Sequence, residues 1–446
     1  MSKTKLTAIS GFPEFLPEEQ ILFMKMLDII RDTYERYGFS PIETPAVERK
    51  EVLISKGGNE KEIYALSRLA VKKGEEPNTE LALHFDLTVP LARYVAMHKN
   101  QITFPFRRYQ IQKVWRGERP QAGRSREFYQ CDIDVIGRGS LSLLNDAEIP
   151  NIIYHIFREM KIGPFVIRIN NRKILHGYFQ SLGLPTVQMD DVMRIIDKRD
   201  KIGTEAVVSE LTHHTDFDQT TAEKMIDFLG EEVKTDELLT RLNQMAINDL
   251  FSQGVKELEL VIEGIRGFGV PEASFKIDLS IARGLDYYTG TVYETVLVDH
   301  PQIGSICSGG RFDDLANFFT DEKLPGVGIS IGLTRLMSRL IKEGIVKTGA
   351  ATVASVLVTA MDEKRTSDYL RIGSTLRNAG IPTEVYLEKA RLGNQLKYAN
   401  KKGFKIAIIA GEDEFLQDSV QIKNLVTGEQ IICPIRDIVQ KIGTTL

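Results

Sequence analysis

The stretch "RRYQIQKVWRGERPQAGRSREFYQCDIDVIG", residues 107–137, contains two strand-like runs around a polar loop. In the second run, the alternation of a β-strand places Gln130, Asp132 and Asp134 on one face and apolar side chains on the other. Polar side chains repeated along one strand face are unexpected unless that face is solvated or binds a ligand. Both readings fit this strand taken by itself.

Three arginines stand beside strands or glycines. Arg116 ends the first run, Arg283 opens "RGLDYYTGTVYE" (283–294), and Arg335 follows the glycines of "GVGISIGLTRL" (326–336). A lone arginine beside a strand is usually a surface residue or an ion-pair partner. Three of them, next to glycines that let a ligand approach the backbone, favour an anion site. The guanidinium fork suits the oxygens of a phosphate chain.

A second set of polar residues combines carboxylates, an amide and phenols. Such groups suit a small cationic, hydrogen-bonding ligand, such as an amino acid. The set comprises Asp86 and Thr88 in "HFDLTVP", Gln130, Asp134, Tyr287 and Tyr288.

Length and composition indicate a soluble globular protein of two to four domains, with 446 residues and a net charge of −4. Because the net charge is negative, a polyanionic ligand would have to bind to a local basic surface rather than to the molecule as a whole. Three widely spaced cysteines fit neither a disulfide framework nor a metal site and indicate a reducing compartment. The sequence shows no signal peptide and no apolar run long enough to span a membrane. We expect a cytoplasmic protein.

The chain is expected to divide into four segments. Residues 17–37 have the apolar stripe and the end residues that are typical of a helix. Residues 171–255 combine clustered charges with helical periodicity, which predicts a helical insertion. After a linker near 347–352, strands alternate with helices, which predicts a small α/β domain with a mostly parallel sheet. The predicted segments are 1–170 and 256–346 (catalytic), 171–255 (helical insertion) and 351–446 (C-terminal domain).

The C-terminal segment carries six basic residues and no acidic one between Lys389 and Lys405. Such a run is often only a solvated helix face, although it also suits phosphate contacts with RNA. The adjacent His213 and His214 lie in a polar helical segment with Asp216, and we predict no metal site there.

Five motifs resemble those of class II aminoacyl-tRNA synthetases, in the family's order along nearly the whole chain. Residues 107–137 resemble motif 2, "GVGISIGLTRL" resembles motif 3, and "YGFSPIETP" (37–45) resembles motif 1. "RGLDYYTGTVYE" is similar to the histidine-specific signature of histidyl-tRNA synthetases, as is "SGGRFDDL" (308–315) to a glycine-rich segment of that family. The resemblance implies an α/β fold with an α+β catalytic core, in which helices flank an antiparallel sheet. It also implies a C-terminal α/β anticodon-binding domain.

The resemblance implies a histidine–tRNA ligase with ATP as a substrate, Mg²⁺, tRNA(His) as a partner and a homodimer formed through motif 1. It makes Arg116 and Arg283 the catalytic cations at the α-phosphate. The implied histidine-binding residues are Asp86, Leu87, Thr88, Arg116, Gln130, Asp134, Arg283, Tyr287 and Tyr288. Arg116, Glu118, Arg283 and Arg335 would bind ATP, and Arg119, Gln121, Lys397, Lys401 and Lys402 would contact tRNA.

Two other classes remain as alternatives. One is the family's non-catalytic paralogue, a regulatory subunit of ATP phosphoribosyltransferase, which usually lacks the anticodon domain and an intact histidine signature. The other is a non-enzymatic RNA-binding protein, which would not need three phosphate-gripping arginines around an amino-acid pocket.

Overall fold

The computed structural model describes residues 6–55, 60–69, 79–119, 124–196, 198–215, 217–230, 233–281 and 288–445. Three predicted site residues, Gln121, Arg283 and Tyr287, lie outside these ranges, as does Asp216. The chain forms two compact units, one comprising Met1–Pro13 with Met26–Val346 and the other Glu14–Lys25 with Lys347–Leu446. Among the described helices, none has the length and apolar character needed to cross a membrane.

The first helix, α1, runs from Pro17 to Arg36, which confirms the helix predicted at 17–37. Its proline occupies the first turn, where no N–H is needed, and glutamates follow at the positive end of the helix dipole. Ile30 and Tyr34 are fully buried on its apolar stripe. The Tyr34 hydroxyl donates to the backbone oxygen of Cys131 at 2.9 Å. The helix thereby packs against the strand predicted to carry the polar face.

A large sheet forms the centre of the first unit. Its described strands run in the order β1-β5-β6-β11-β10-β9-β7-β8. The pairs β1–β5 and β7–β8 at the two edges are parallel, and all pairs between them are antiparallel. The strands are β1 (Ser40–Pro41), β5 (Phe106–Trp115), β6 (Glu127–Ile136), β7 (Phe165–Asn171), β8 (Phe275–Ile277), β9 (Thr291–Leu297), β10 (Cys307–Phe312) and β11 (Gly326–Gly332). A separate small sheet contains β2 (Val47–Arg49), β4 (Leu81–Leu83) and β3 (Ala65–Leu66), and its described strands form no backbone pairs with those of the large sheet.

The large sheet is flanked by the helices α3 (Thr88–His98), α4 (Leu144–Met160) and α12 (Leu333–Lys342). The short helix α2 (Lys50–Ile54) lies against α3 and β2. Leu91 and Val95 of α3 pack with Ile136 and Phe312 of the sheet in one buried cluster. This contact fixes the first turn of α3 above the sheet. The expected antiparallel sheet with flanking helices is therefore present.

The predicted helical character of residues 171–255 is confirmed by α5 (Arg172–Ser181), α6 (Thr186–Ile196), α7 (Arg199–Ile202), α8 (Thr204–His214), α9 (Gln219–Gly230), α10 (Thr235–Met245) and α11 (Asp249–Gly267). Two glycines let α5 and α11 lie close together. A Cβ at Gly177 would come within 2.6 Å of the Phe251 nitrogen, and one at Gly254 within 2.7 Å of the Ile174 nitrogen. The boundaries proposed for this insertion stay predictions.

The second unit contains a five-stranded sheet among its described residues, in the order β13-β12-β14-β15-β16. The prediction of a mostly parallel sheet was wrong, because β14, β15 and β16 form an antiparallel meander beside the two parallel pairs. Short connections at 410–418 and 425–429 leave no room for a crossover. The elements are β12 (Val356–Val358), α13 (Thr366–Asn378), β13 (Thr383–Val385), α14 (Leu392–Lys402), β14 (Ile406–Ile409), α15 (Glu412–Leu416), β15 (Ser419–Asn424), β16 (Gln430–Pro434) and α16 (Ile438–Thr445).

Candidate active site

A cavity of about 880 Å³ opens over one face of the large sheet. It brings together the predicted residues Asp86, Thr88, Arg116, Glu118, Gln130, Asp134, Tyr288 and Arg335. These residues come from segments more than 200 positions apart in the chain, and strand pairing places them at one site. Leu87, which was predicted with them, is fully buried in the core and does not line the cavity.

Strand register arranges the residues of the sheet face below the cavity in rows across the strands. One row contains Arg108, Asp134, Gly328 and Gly310 on β5, β6, β11 and β10. The next contains Gln110, Asp132, Ser330 and Ser308 on the same strands, and continues through Glu294 to Arg168. The polar face predicted for β6 is therefore part of a polar surface that extends over six strands.

Asp86, Asp132 and Asp134 form an acidic cluster at one end of the cavity. Their side chains are nearly inaccessible, with residue exposures of 2%, 2% and 3%. Burial raises the pKa of Asp86 to about 7, against the lowering effect of the nearby Arg116 guanidinium. Burial likewise raises the pKa of Asp134 to about 7, which Arg108 opposes. Burial also raises the pKa of Asp132. Such a cluster can accept a cationic, proton-donating ligand.

Arg116 stands between this acidic cluster and the motif 2 loop. Its Nε donates to the backbone oxygen of Phe85 at 3.0 Å, and its Nη2 lies 3.4 Å from the Gln130 side-chain oxygen. The guanidinium also lies over the Phe128 ring, 5.1 Å from its centroid. These contacts fix a cation at the mouth of the acidic end, where a negatively charged carboxylate or phosphate could meet it.

Gln130 is held by Ser330, to which its amide donates at 2.7 Å. The amide nitrogen also lies 3.4 Å from one oxygen of Asp132. Farther out, Arg124 donates to the Glu118 carboxylate at 3.1 Å, whereas Arg119 is exposed. The inner part of the motif 2 hairpin therefore lines the cavity, and its outer arginine faces solvent.

Both flanks of the 282–287 segment are tied to buried side chains. Before it, Asn170 donates to the backbone oxygens of Leu279 and Ile281, each at 3.1 Å. After it, Tyr288 lines the cavity, and a Cβ at Gly310 would come within 2.9 Å of its ring. The residue that directly follows the 282–287 segment, Tyr288, therefore lines the cavity.

Sequence reasoning did not assign Arg108, Asp132, Arg168 and Glu294 to the site. Arg168 binds Glu294 at 2.9 Å and Asp278 at 2.7 Å, and both Arg168 and Glu294 line the cavity. The alternation of Arg108 with Gln110 in "RRYQIQ" was a usable signal, because it mirrors the polar alternation on β6. Arg168 and Glu294 gave no comparable signal, since each is the single charged residue of its strand.

The predicted tRNA-binding lysines lie in the second unit, on α14. Lys397 and Lys401 are exposed. Lys402 instead forms an ion pair with Glu384 at 3.1 Å and lies over the Tyr398 ring, 4.9 Å from its centroid. Two of the three lysines are therefore open to a polyanion, and the third is engaged within its own domain. Across the residues that the structure describes, no cluster of three metal-ligating side chains occurs.

Comparisons with known proteins cover both units. A family model described as "Histidyl-tRNA synthetase" matches residues 11–336, and one described as "Anticodon binding domain" matches residues 355–445. The histidine–tRNA ligase of Clostridium tetani is 49% identical over 96% of this chain and 95% of its own length. That of Nostoc sp. is 48% identical over 100% of this chain and 99% of its own length.

Solved structures agree with these relatives. The crystal structure of histidyl-tRNA synthetase from Nostoc sp. PCC 7120 superposes with a TM-score of 0.91 at 48% identity, covering 100% of both chains. A Bacillus halodurans structure described as an ATP phosphoribosyltransferase regulatory subunit/histidyl-tRNA synthetase gives a TM-score of 0.73 at 19% identity, over 89% of this chain and 97% of its own. The second match shows the shared fold alone. On the extent of the family match and the near-complete coverage of relatives almost half identical, this chain belongs to the histidyl-tRNA synthetase family.

Proposed function

We propose that this protein activates histidine with ATP and transfers it to the 3′ end of tRNA(His). The observation that carries the proposal is the polarity of the cavity, in which buried carboxylates and an amide occupy one end and Arg116 stands at its edge. An α-amino acid with a basic side chain presents two proton-donating groups to carboxylates and one anionic group to a cation. Histidine fits this distribution.

In the first step, a carboxylate oxygen of histidine attacks the α-phosphorus of ATP. A phosphoanhydride bond breaks, pyrophosphate leaves, and histidyl-adenylate forms. The substrate supplies the nucleophile, so the protein's part is to position the reactants and to neutralise charge on the α-phosphate. We assign that neutralisation to Arg116 and Arg283, and the adenine and γ-phosphate side to Arg335.

The acidic end is assigned to the amino acid. Asp86, Thr88 and Gln130 would bind the α-ammonium group, and Asp134 would accept an imidazole N–H. Tyr287 and Tyr288 would close over the ring. A pocket that hydrogen-bonds a polar side chain leaves its own groups unpaired when an apolar analogue enters, which can give about 10⁴–10⁵-fold discrimination.

In the second step, a terminal ribose hydroxyl of the tRNA attacks the carbonyl carbon of the adenylate, and AMP leaves. Arg119 and Gln121 of the motif 2 loop would contact the acceptor end. The exposed lysines of α14 would contact phosphates near the anticodon. Three free, buried cysteines support work in a reducing compartment, which we take to be the cytoplasm.

Mg²⁺ would accompany ATP and neutralise its outer phosphates. This ion usually keeps several waters and binds one or two carboxylates together with substrate phosphates, so a protein cage is not required. Glu118, a carboxylate that lines the cavity beside Arg116, fits the role of protein ligand.

A homodimer is proposed through the motif 1 region. Its strand β1 is an edge strand of the large sheet, and both of its residues are exposed. Sedimentation at micromolar concentration should give twice the chain mass, and a fully active monomer would contradict this part of the proposal.

Pyrophosphate exchange tests the central activity. ATP–pyrophosphate exchange, measured with each proteinogenic amino acid in turn, should be stimulated by histidine alone. Stimulation only by another amino acid would overturn the assignment. Absence of exchange with every amino acid would favour a regulatory, non-catalytic role.

A further inference from the structure

Arg108 is the largest fully buried side chain among those described, and the cavity does not reach it. It lies on β5, between Ser40 of β1 and Asp134 of β6 in the strand register. Its Nη2 is 2.5 Å from Asp134 Oδ2. A fully buried guanidinium is costly to keep in a protein unless nearby groups compensate its charge.

Among the described residues, three buried carboxylates face Arg108. Asp134 contacts it directly, and Arg108 also lowers the pKa of Asp86 and of Asp132. Among the other charged groups, Arg116 lowers the pKa of Asp86 and of Asp132. Asp132 raises the pKa of Asp86, and both of these carboxylates raise the pKa of Asp134. Burial, with contributions from Asp132 and Asp134 among other groups, raises the pKa of Tyr34 of α1, whose hydroxyl donates to the Cys131 backbone oxygen. Among the described residues, Arg108 is therefore the guanidinium that directly contacts Asp134, one member of this acidic cluster.

Asp134 is confined from two sides. Arg108 holds Oδ2, and Gly328 lies beside Oδ1, where a Cβ atom would come within 2.2 Å. The glycine therefore leaves Oδ1 the space that any other residue would fill. Asp134 also lines the cavity, and its Oδ2 contacts the buried arginine, which leaves Oδ1 for a ligand.

We propose that Arg108 is a positioning residue that fixes Asp134 and favours its ionised form as the acceptor for the imidazole N–H, and so sets the selectivity for histidine. This inference rests on the proposed function, because it concerns how the same pocket binds its amino acid. Without the guanidinium, three adjacent acids would share protons. A protonated Asp134 would then lose the charge-assisted hydrogen bond to the ring.

The consequence is a loss of histidine binding that higher pH reverses. Arg108→Gln should raise KM for histidine about 10- to 100-fold at pH 7, the range expected for a hydrogen bond to a charged group. The ratio of variant to wild-type KM should fall toward one between pH 7 and pH 9. Dividing by the wild-type value cancels the titration of free histidine. The kcat of exchange and KM for ATP should change little.

Two further variants separate charge from packing. Arg108→Lys keeps the charge and should retain most of the wild-type pH profile. Asp132→Asn removes a competing acid and should move the pH profile of KM for histidine to lower pH. The double variant Arg108→Gln/Asp132→Asn should recover about tenfold of the loss, equivalent to one pKa unit.

Arg107→Gln is the matched control. Arg107 is the adjacent residue on the opposite face of β5, bound to Glu148 at 2.7 Å and to the Tyr37 oxygen at 3.0 Å. It should leave the histidine profile unchanged. A pH-independent rise in KM for Arg108→Gln, or equal losses in the Lys and Gln variants, would overturn the inference.

Histidine-dependent exchange by the wild type comes first, because its absence would refute the proposed function itself. If Arg108→Gln does not fold, Asp132→Asn decides the question, and an unshifted pH profile for that variant overturns the inference.

Discussion

The guanidinium of Arg311 holds the carboxylate of Asp146 through two contacts, Nε to Oδ1 at 3.0 Å and Nη2 to Oδ2 at 2.5 Å. Both side chains are buried, and they join β10 to α4. Burial raises the pKa of Asp146, and the hydrogen bonds from Arg311 oppose that shift. A Cβ at Gly290 would meet the Arg311 side chain at 3.0 Å, so the pair also supports the backbone just after Tyr288.

We expect Arg311→Leu to destabilise the first unit by about 3–5 kcal/mol, because it leaves an uncompensated buried carboxylate. Urea unfolding followed by the fluorescence of the only tryptophan, Trp115, reports on that unit. As a control, Arg138→Ala removes a half-exposed ion pair with Glu322 and should cost less than about 1 kcal/mol. Equal losses in the two variants would contradict the prediction.

Gly328→Ala should impair histidine binding specifically. The added Cβ would lie 2.2 Å from Asp134 Oδ1 and 2.2 Å from the Ile133 oxygen, so that the carboxylate or β11 must shift. KM for histidine in pyrophosphate exchange should rise by about tenfold or more, as expected when a charge-assisted hydrogen bond is misplaced. Gly267→Ala, where a Cβ meets open space, is the control and should match the wild type.

The ligand-free protein should lose stability as pH rises through 7. Asp86 and Asp134 have folded-state pKa values of about 7, above their ordinary value near 4, so the folded state binds more protons than the unfolded state between these limits. Their contribution is complete below about pH 4 and disappears as pH passes 7. Thermal unfolding from pH 5.5 to 8 measures it.

Comparison with Asp134→Asn isolates this effect from other titrating groups. The difference in Tm between that variant and the wild type should grow with pH, and saturating histidine should reduce it. A difference that does not depend on pH would show that Asp134 stays ionised throughout.

Arg283→Ala should reduce adenylate formation while largely sparing histidine binding. A donor that stabilises developing charge in a buried site is worth roughly 3–4 kcal/mol in the transition state, or several hundredfold in rate. Single-turnover formation of histidyl-adenylate measures the step, and equilibrium dialysis with histidine measures binding. Weak histidine binding with a normal rate at saturation would make Arg283 a binding residue instead.

Neutralising Lys397 and Lys401 together should weaken tRNA binding and flatten its dependence on salt. Removing one phosphate interaction lowers the slope of log affinity against log salt by roughly one unit. The pair Lys364→Ala and Arg436→Ala removes the same charge elsewhere in the second unit and is the control. Histidine-dependent pyrophosphate exchange should be unaffected, and a salt slope equal to that of the wild type would make the basic run a solvated surface.

The polar face of the catalytic sheet could be predicted from the sequence because the alternation of polar and apolar residues is a local pattern. Gln130, Asp132 and Asp134 share a face through the two-residue period of a strand, and that face indeed lines the cavity. Cross-strand neighbours depend on register, which the sequence of one strand does not contain. The pairing of Arg108 with Asp134 and that of Arg168 with Glu294 therefore required the structure.

In the second unit, too, local features could be predicted from the sequence, whereas features that depend on distant residues could not. Its helices and strands follow from periodicity and end signals, but strand direction does not. An alternating order of strands and helices suggested a mostly parallel sheet, whereas short connections made the last three strands antiparallel. The engagement of Lys402 by Glu384 was hidden for a similar reason, since α14 and β13 meet only in the folded domain.

The glycine-lined floor of the cavity has a consequence for drug resistance. At Gly309 and Gly328, a Cβ atom would come within 2.1 Å and 2.2 Å of backbone oxygens on neighbouring strands. A competitive inhibitor resting on this floor would contact main-chain atoms, which a side-chain substitution cannot remove. Any substitution of either glycine adds a side chain that clashes with the neighbouring strand and distorts the sheet. Resistance to such an inhibitor should therefore arise at the cavity walls, through Thr88 or Arg335, before it arises at the floor.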